Sequence, residues 1–354
     1  MTLAQLASQP ANPPTETPFE VGLIGFGYWG PNLARNFAAH PDAHLAVIAD
    51  RSEKRLEAAR TAYQWAALKS DPMDVISDPA IQAVVIATPP ETHRDLAIAA
   101  MEHGKHVLVE KPLATTTADA EEMVRVAQRC GRTLMVDHTF LFTGAVRRMK
   151  RCIDDGDLGE VNYFDSTRIN LGLFQSNVNV IWDLAPHDIA IMLHLLPGPV
   201  RTVSAFGACH VHSAVENIAY ITFRFDGNLL AHLHVNWLSP VKIRKTIIGG
   251  SRKMLVYDDM ETSEKLKIFD AGADLARTKE EAYRTFVEYR TGDILIPRLD
   301  KTEALAAETD HFLRVLRGKE ELVSGGNLGV EVVRVIEAAE RSMRNGGVPV
   351  EVGG

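Results

Sequence analysis

The chain has 354 residues, 46% hydrophobic and 24% charged, with 38 Lys+Arg against 46 Asp+Glu for a net charge of −8. That is the balance of an ordinary globular protein of about two domains, not of a disordered, collagenous or repeat-built chain. No basic run offers a sequence-independent grip on nucleic acid, and no apolar stretch approaches the ~20 residues that cross a bilayer.

Residues 1–19 carry Pro10, Pro13, Pro14 and Pro18, and no Lys or Arg precedes Arg35. They read as a flexible tail without the positive segment of an export signal. Cys130, Cys152 and Cys209 are odd in number and far apart, which fits a reducing compartment and points to the cytoplasm. From Glu20 the pattern becomes regular. Apolar runs at Glu20–Gly25, His44–Asp50, Ile81–Thr88, Lys105–Glu110 and Arg132–Asp137 alternate with helical patterns at Trp29–His40, Ser52–Tyr63, Thr92–His103 and Thr117–Cys130. Strands joined by helices of about a dozen residues require crossovers, so residues 20–139 predict a doubly wound parallel sheet. The strands are apolar on both faces, as double burial demands.

Beyond about Phe140 the pattern changes. Helical segments at Gly144–Asp155 and Asp183–Leu195 flank a run at Glu160–Leu171, and then come Val200–His212, Glu216–Phe225, Asn228–Trp237, Val241–Gly249 and Lys253–Tyr257, rich in β-branched and aromatic residues. These read as an antiparallel meander. Residues 140–354 therefore predict an α+β domain on a large open, mostly antiparallel sheet, closed by helices at Thr302–Arg317 and Gly329–Met343 that can pack back on the first domain. Asp270–Arg298 reads as a long loop.

Gly25-Phe26-Gly27-Tyr28-Trp29-Gly30 follows the first strand and opens a helix with Pro31 in its first turn. The first glycine permits a tight turn, the second lets backbone approach a pyrophosphate, and the third allows close helix–strand packing. The helix start offers free N–H groups to the phosphates. Asp50 ends the second strand 20 residues past Gly30, where a carboxylate accepts from the adenosine ribose diol and repels a 2′-phosphate. That favours NAD over NADP. Arg51 beside it is a group that pairs with such a phosphate, and capping the helix from Ser52 is the structural alternative for Asp50.

Thr88-Pro89-Pro90-Glu91-Thr92-His93, Glu110-Lys111-Pro112 and Asp183-Leu184-Ala185-Pro186-His187-Asp188 complete a set. With the glycine turn, the set resembles the Gfo/Idh/MocA oxidoreductases over about Glu20 to the C-terminus. The resemblance implies a Rossmann domain, an active site between the domains, Lys111 and His187 facing the reacting carbon, and Tyr28, Trp29, Arg51, Thr88, Pro89, His93 and Glu110 among the cofactor residues. The chemistry stands beside it. Oxidising an alcohol requires removal of a hydroxyl proton, which an imidazole accepts near neutral pH. Asp183 and His187 lie i, i+4 on one helical face, so the carboxylate could orient the ring or hold a substrate hydroxyl. The Lys111 ammonium could stabilise a developing alkoxide. Which of Lys111 and His187 takes the proton is open.

Arg168-Ile169-Asn170-Leu171-Gly172, the stretch Asn179–His187 and Asn236–Arg244 resemble the family's UDP-N-acetylglucosamine 3-dehydrogenase branch. That implies oxidation at C3 of a UDP-linked amino sugar, with Arg168, Asn170, Trp237 and Arg244 touching substrate, Lys242 and Lys245 as further cations, and Trp237 stacking on a sugar or base. The alternatives are a free sugar or inositol dehydrogenase, or a non-catalytic NAD-binding sensor. His210 and His212 alternate on one strand and His232 and His234 on another, so a metal cluster is conceivable. The preferred reading assigns no metal and puts these rings on the open sheet, through which the resemblance implies a homodimer or homotetramer.

Overall fold

The computed structural model describes residues 17–172, 178–210, 215–270, 272–274, 288–290 and 292–353. The first sheet is built from β1 (Phe19–Ile24), β2 (Ala43–Ala49), β3 (Ala67–Lys69), β4 (Ala83–Ile86), β5 (His106–Glu110) and β6 (Leu134–Asp137). They lie in the order β3-β2-β1-β4-β5-β6, every pair parallel. The order reverses beside β1, and open α/β sheets bind ligands at such a switch point. β4, Ala-Val-Val-Ile, is buried throughout, as expected of a strand with helices on both faces.

The helices are α1 (Gly30–Ala39), α2 (Glu53–Ala62), α3 (Pro72–Ile76), α4 (His93–Glu102) and α5 (Thr117–Cys130). Thr116 caps α5 by accepting from the Asp119 N–H, and Gly131 ends it at φ 61°, a left-handed conformation that suits glycine. β3 and α3 escape the periodicity reading because three and five residues hold fewer than two full periods, too few to show a repeat.

The second domain starts with α6 (Gly144–Asp154), β7 (Val161–Leu171), α7 (Val180–Leu195), β8 (Thr202–Ala208), β9 (Ile218–Arg224), β10 (Leu230–Asn236), β11 (Leu238–Gly250), β12 (Met254–Asp258) and β13 (Leu266–Phe269). Gly272–Asp274 (β14) and Glu288–Arg290 (β15) form a separate pair, Ile294–Leu295 (β16) adds an edge, and α8 (Ala304–Leu316), α9 (Gly326–Arg344) and β17 (Val350–Glu351) end the chain. The large sheet runs β16-β13-β12-β11-β7-β10-β9-β8-β17. It is not a pure meander, because β10 pairs with β7 in parallel. Along β9 and β10 every second residue is buried, and Phe223, Ile221, Leu233 and Val235 face the core on the side where α7 lies. Tyr220 and Phe206 remain exposed on the opposite face.

The last two helices tie the domains together. α9 packs on both α5 and α7. Ser324 donates to the Val136 carbonyl at 2.6 Å, and Thr117 donates its backbone N–H to Glu337 at 3.2 Å. α8 packs on α1, with Phe312 edge-on to Phe37 at 6.2 Å. Each fully buried ring of this kind is worth ~2 kcal/mol of hydrophobic stabilisation.

Candidate active site

The glycine turn follows β1. A Cβ on Gly25, which sits at φ +96°, would meet the Ala87 carbonyl oxygen at 2.5 Å, and one on Gly30 would meet the Gly25 oxygen at 2.2 Å. Both positions are closed to side chains by the protein itself. Gly27 differs: a Cβ there would meet nothing nearer than the Arg55 guanidinium at 3.6 Å. Its missing side chain leaves room for a ligand. The turn opens into a cavity of about 700 Å³ lined by Gly25, Gly27, Tyr28, Trp29, Asp50, Arg51, Arg55, Thr88, Pro89, Glu110 and Lys111. This brings together every cofactor residue read from the sequence except Gly30, packed beneath the turn, and His93.

His93 is fully buried. Its Nδ1 lies 2.9 Å from the Pro112 carbonyl and its Nε2 2.8 Å from that of Thr88. It does not line the cavity but braces the two loops that do, a correction to its expected role. The Asp50 carboxylate is held from both sides, by the glycine turn and by the N-cap residue of α2. Its Oδ2 accepts from the Phe26 N–H at 2.7 Å and its Oδ1 from the Ser52 N–H at 2.8 Å, while the carboxylate still faces the cavity. A carboxylate oxygen accepts more than one bond, so the ribose diol can share it. Arg55, 3.5 Å from Asp50 Oδ2, was missed by sequence reasoning. It lies in the first turn of a surface helix and carries no motif.

At the cavity's inner end, Lys111 Nζ donates to the Asp183 carbonyl of α7 at 3.2 Å, and the Lys111–Pro112 bond is cis. One turn on, His187 lies against Phe140, ring centroids 5.0 Å apart. Burial, then the charges of Lys111, Arg168, His138 and Arg244, push the His187 imidazole well below its ordinary range. The ring is therefore neutral at physiological pH. Its Nδ1 is buried without a hydrogen-bond partner, so Asp183 does not orient it. Asp183 Oδ2 instead accepts from the Trp237 indole at 2.8 Å. Beside Lys111, burial pushes the Glu110 carboxyl up to about 8.

The proposed substrate residues divide. Trp237 is 1% exposed, so it holds Asp183 from below and offers no face for stacking. Arg168 is also buried, with its Nε ion-paired to Asp188. Asp188 accepts from the Ser166 hydroxyl as well, at 2.7 Å. Arg168 thus acts as a braced charge behind the site and not as a free cation for a diphosphate. Arg244, its register partner across β7 and β11, is paired with Asp259 at 3.3 Å. Both guanidinium groups lie over Phe140, at 4.5 and 5.6 Å from its centroid. Asn170 is half-buried at the end of β7 and Lys242 and Lys245 are exposed. Asp188 closes the quoted Asp183–Asp188 motif without a role read from it, and Phe140 and Asp259 carry no sequence signal.

A second cavity of about 580 Å³ shares Pro90, Glu91 and Lys111 with the first and is lined by Asn179, Trp182, Asp183, Glu216 and Glu340. Among the described residues no cluster of three or more His, Cys, Asp or Glu has metal-binding geometry. His212 lies outside the described residues. His210 faces Asn217 at 3.2 Å, and His232 and His234 both stack on Tyr220, at 6.2 and 4.4 Å. No described helix is long and apolar enough to cross a membrane.

A parallel nucleotide-binding sheet, a glycine turn with room for phosphates and an ammonium beside a neutral imidazole define a dinucleotide-dependent oxidoreductase. The chain matches the family description "Oxidoreductase family, NAD-binding Rossmann fold" over residues 19–138 and "GFO/IDH/MocA C-terminal domain" over residues 146–256. It belongs to the Gfo/Idh/MocA family and uses NAD. It is 37% identical over 258 residues to the uncharacterized oxidoreductase YdgJ of Escherichia coli, covering 69% of this chain and 72% of that protein. It is 34% identical over 189 residues to inositol 2-dehydrogenase 2 of Saccharopolyspora erythraea, 52% of this chain and 56% of that one. Two solved structures share the fold at 22% identity. The WlbA dehydrogenase of Bordetella pertussis with NADH and UDP-GlcNAcA has a TM-score of 0.77 over 95% of this chain and 99% of that one. The UDP-N-acetylglucosamine 3-dehydrogenase GnnA of Acidithiobacillus ferrooxidans has a TM-score of 0.79 over 93% and 99%.

Proposed function

We propose that the protein oxidises a secondary ring hydroxyl of a sugar to a ketone, at C3 of a UDP-linked amino sugar. The observation that carries this reading is the convergence of Lys111 from the first domain and His187 from the second, the lysine bonded to the helix that bears the histidine. A dinucleotide held by Gly25, Gly27, Asp50 and Thr88 would supply the hydride acceptor for the carbinol carbon at the Lys111 end of the cavity. As the C–H bond breaks, the Lys111/His187 pair takes the hydroxyl proton and the C–O bond becomes a carbonyl. The neutral imidazole accepts the hydroxyl hydrogen bond, and the ammonium stabilises charge developing on the oxygen. Asp183, held by Trp237, keeps one oxygen for a neighbouring substrate hydroxyl.

The nucleotide-sugar reading draws on what WlbA and GnnA are named for. A free sugar or an inositol is the second reading, favoured by one observation: Arg168 and Arg244 are already paired with carboxylates, which leaves a diphosphate only the exposed Lys242 and Lys245 of the four cations considered. A panel of UDP-sugars, free sugars and inositols, read by nicotinamide absorbance and product mass, separates them. On the first reading UDP competes with the substrate; indifference to millimolar UDP overturns it.

The outer face of the large sheet, with exposed Tyr220 and Phe206 and the stacked His232 and His234, is the surface through which we place a homodimer or homotetramer. Tyr220→Glu then lowers the mass seen on sizing, while an unchanged mass contradicts that surface. The chain's place of action is the cytoplasm on the cysteine argument above.

A further inference from the structure

Glu308 of α8 is 0% exposed; as a carboxylate it would find no satisfied partner for either oxygen, and its contact with the Asp137 carboxyl needs a proton between them. The polar groups facing it are the Asp137 carboxyl and the Thr139 hydroxyl. Asp137, 1% exposed, receives two donors: the Trp29 indole N–H at 2.7 Å and the Thr139 hydroxyl. Two adjacent carboxyls sealed from water cannot both ionise. The donors converge on Asp137, which leaves the proton on Glu308. Burial first, then the Asp137 charge, pushes Glu308 well above the carboxylate range.

Trp29 is the residue before α1. Its carbonyl accepts from the Asn32 N–H at 2.9 Å, and its side chain lines the nucleotide cavity. The pair therefore grips the residue that joins the glycine turn to its helix. A neutral Glu308 matters here, because its proton lets it lie against Asp137, whereas a second carboxylate would repel Asp137 and move it off the indole N–H. We propose that Glu308 is a positioning residue for the dinucleotide: through Asp137 it holds the Trp29 indole, and with it the Gly25–Gly30 turn, in the conformation that receives the pyrophosphate. The inference rests on NAD binding at that turn and not on the substrate assigned above.

The test is NADH affinity by fluorescence titration, with thermal melting alongside. Trp29→Phe removes the indole donor together with part of the ring lining the cavity and weakens NADH about ten-fold. Glu308→Leu fills the buried site with an apolar group, so melting holds or rises while NADH affinity falls about five-fold. Glu308→Gln, neutral and able to donate, stays within two-fold of the parent. The double variant Trp29→Phe/Glu308→Leu is no weaker than Trp29→Phe alone, since the two act through one contact. Wild-type NADH affinity in either Trp29→Phe or Glu308→Leu, or full additivity in the double variant, overturns the proposal. Should Glu308→Leu fail to fold, Glu308→Met takes its place with the same expected loss, and wild-type NADH affinity in that variant overturns the proposal.

Discussion

Replacing Lys111 or His187 by alanine lowers turnover about a thousand-fold, and the double variant falls little further. A group positioned for proton transfer contributes ~10²–10⁴-fold, and residues acting as a unit are non-additive. NADH affinity of His187→Ala stays near wild type, because His187 does not line the nucleotide cavity. The pH dependence carries its own sign. The folded imidazole titrates well below its usual value, chiefly through burial and then through the Lys111 charge. Activity that needs a neutral ring therefore persists below pH 6.5 and is lost only on deeper acidification. In Lys111→Ala one of the opposing charges is gone, so the residual activity loses its acid limb at a higher pH than wild type. The same shift makes the folded protein bind fewer protons than the unfolded chain just below pH 6.5, so this group's contribution to stability shrinks as pH falls. A residual profile in Lys111→Ala superimposable on the parent's contradicts the assigned proximity.

Asp188→Ala is the second large effect, and it acts on the fold before the chemistry. Asp188 and Arg168 are 4% and 3% exposed. Removing the carboxylate strands a buried guanidinium, at a cost of ~3–5 kcal/mol, which lowers the melting temperature by roughly 10 °C. Replacing both together, Arg168→Met with Asp188→Leu, restores most of that stability, because an apolar pair of similar volume is often neutral or better. It does not restore the positive field around His187, so the ring titrates closer to its ordinary range in the repacked protein. Calorimetry and an NMR titration of the imidazole measure the two halves separately. A single Asp188→Ala variant with unchanged melting shows that water reaches Arg168 and removes the argument.

The first sheet was legible because its strands are continuous apolar runs and its helices span several turns. Gly25, Gly30 and Asp50 were legible because backbone geometry at a strand–helix turn leaves few residues able to sit there. Lys111 and His187 were found through motifs at a strand end and on a helix. The contacts behind them were not legible. Trp237 read as a ligand-stacking ring and proves to be the buried brace of Asp183. Arg168 read as a substrate cation and proves to be neutralised from its own domain. His93 read as a cofactor contact and proves to join two loops. In each case the residue type was informative, but its partner is many residues away, and pairing across a sheet or between helices leaves no trace in local spacing. Glu308 is the extreme instance: nothing near it in the chain says that α8 returns to the nucleotide turn.

The most direct measurement of the central claim is a crystal structure with NADH and the substrate identified by the panel. The account predicts Lys111 Nζ and His187 Nε2 within hydrogen-bond reach of one substrate oxygen, on a carbon about 3–3.5 Å from the nicotinamide C4. A reacting carbon reached by neither group, or a nicotinamide ring lying away from Lys111, would contradict it.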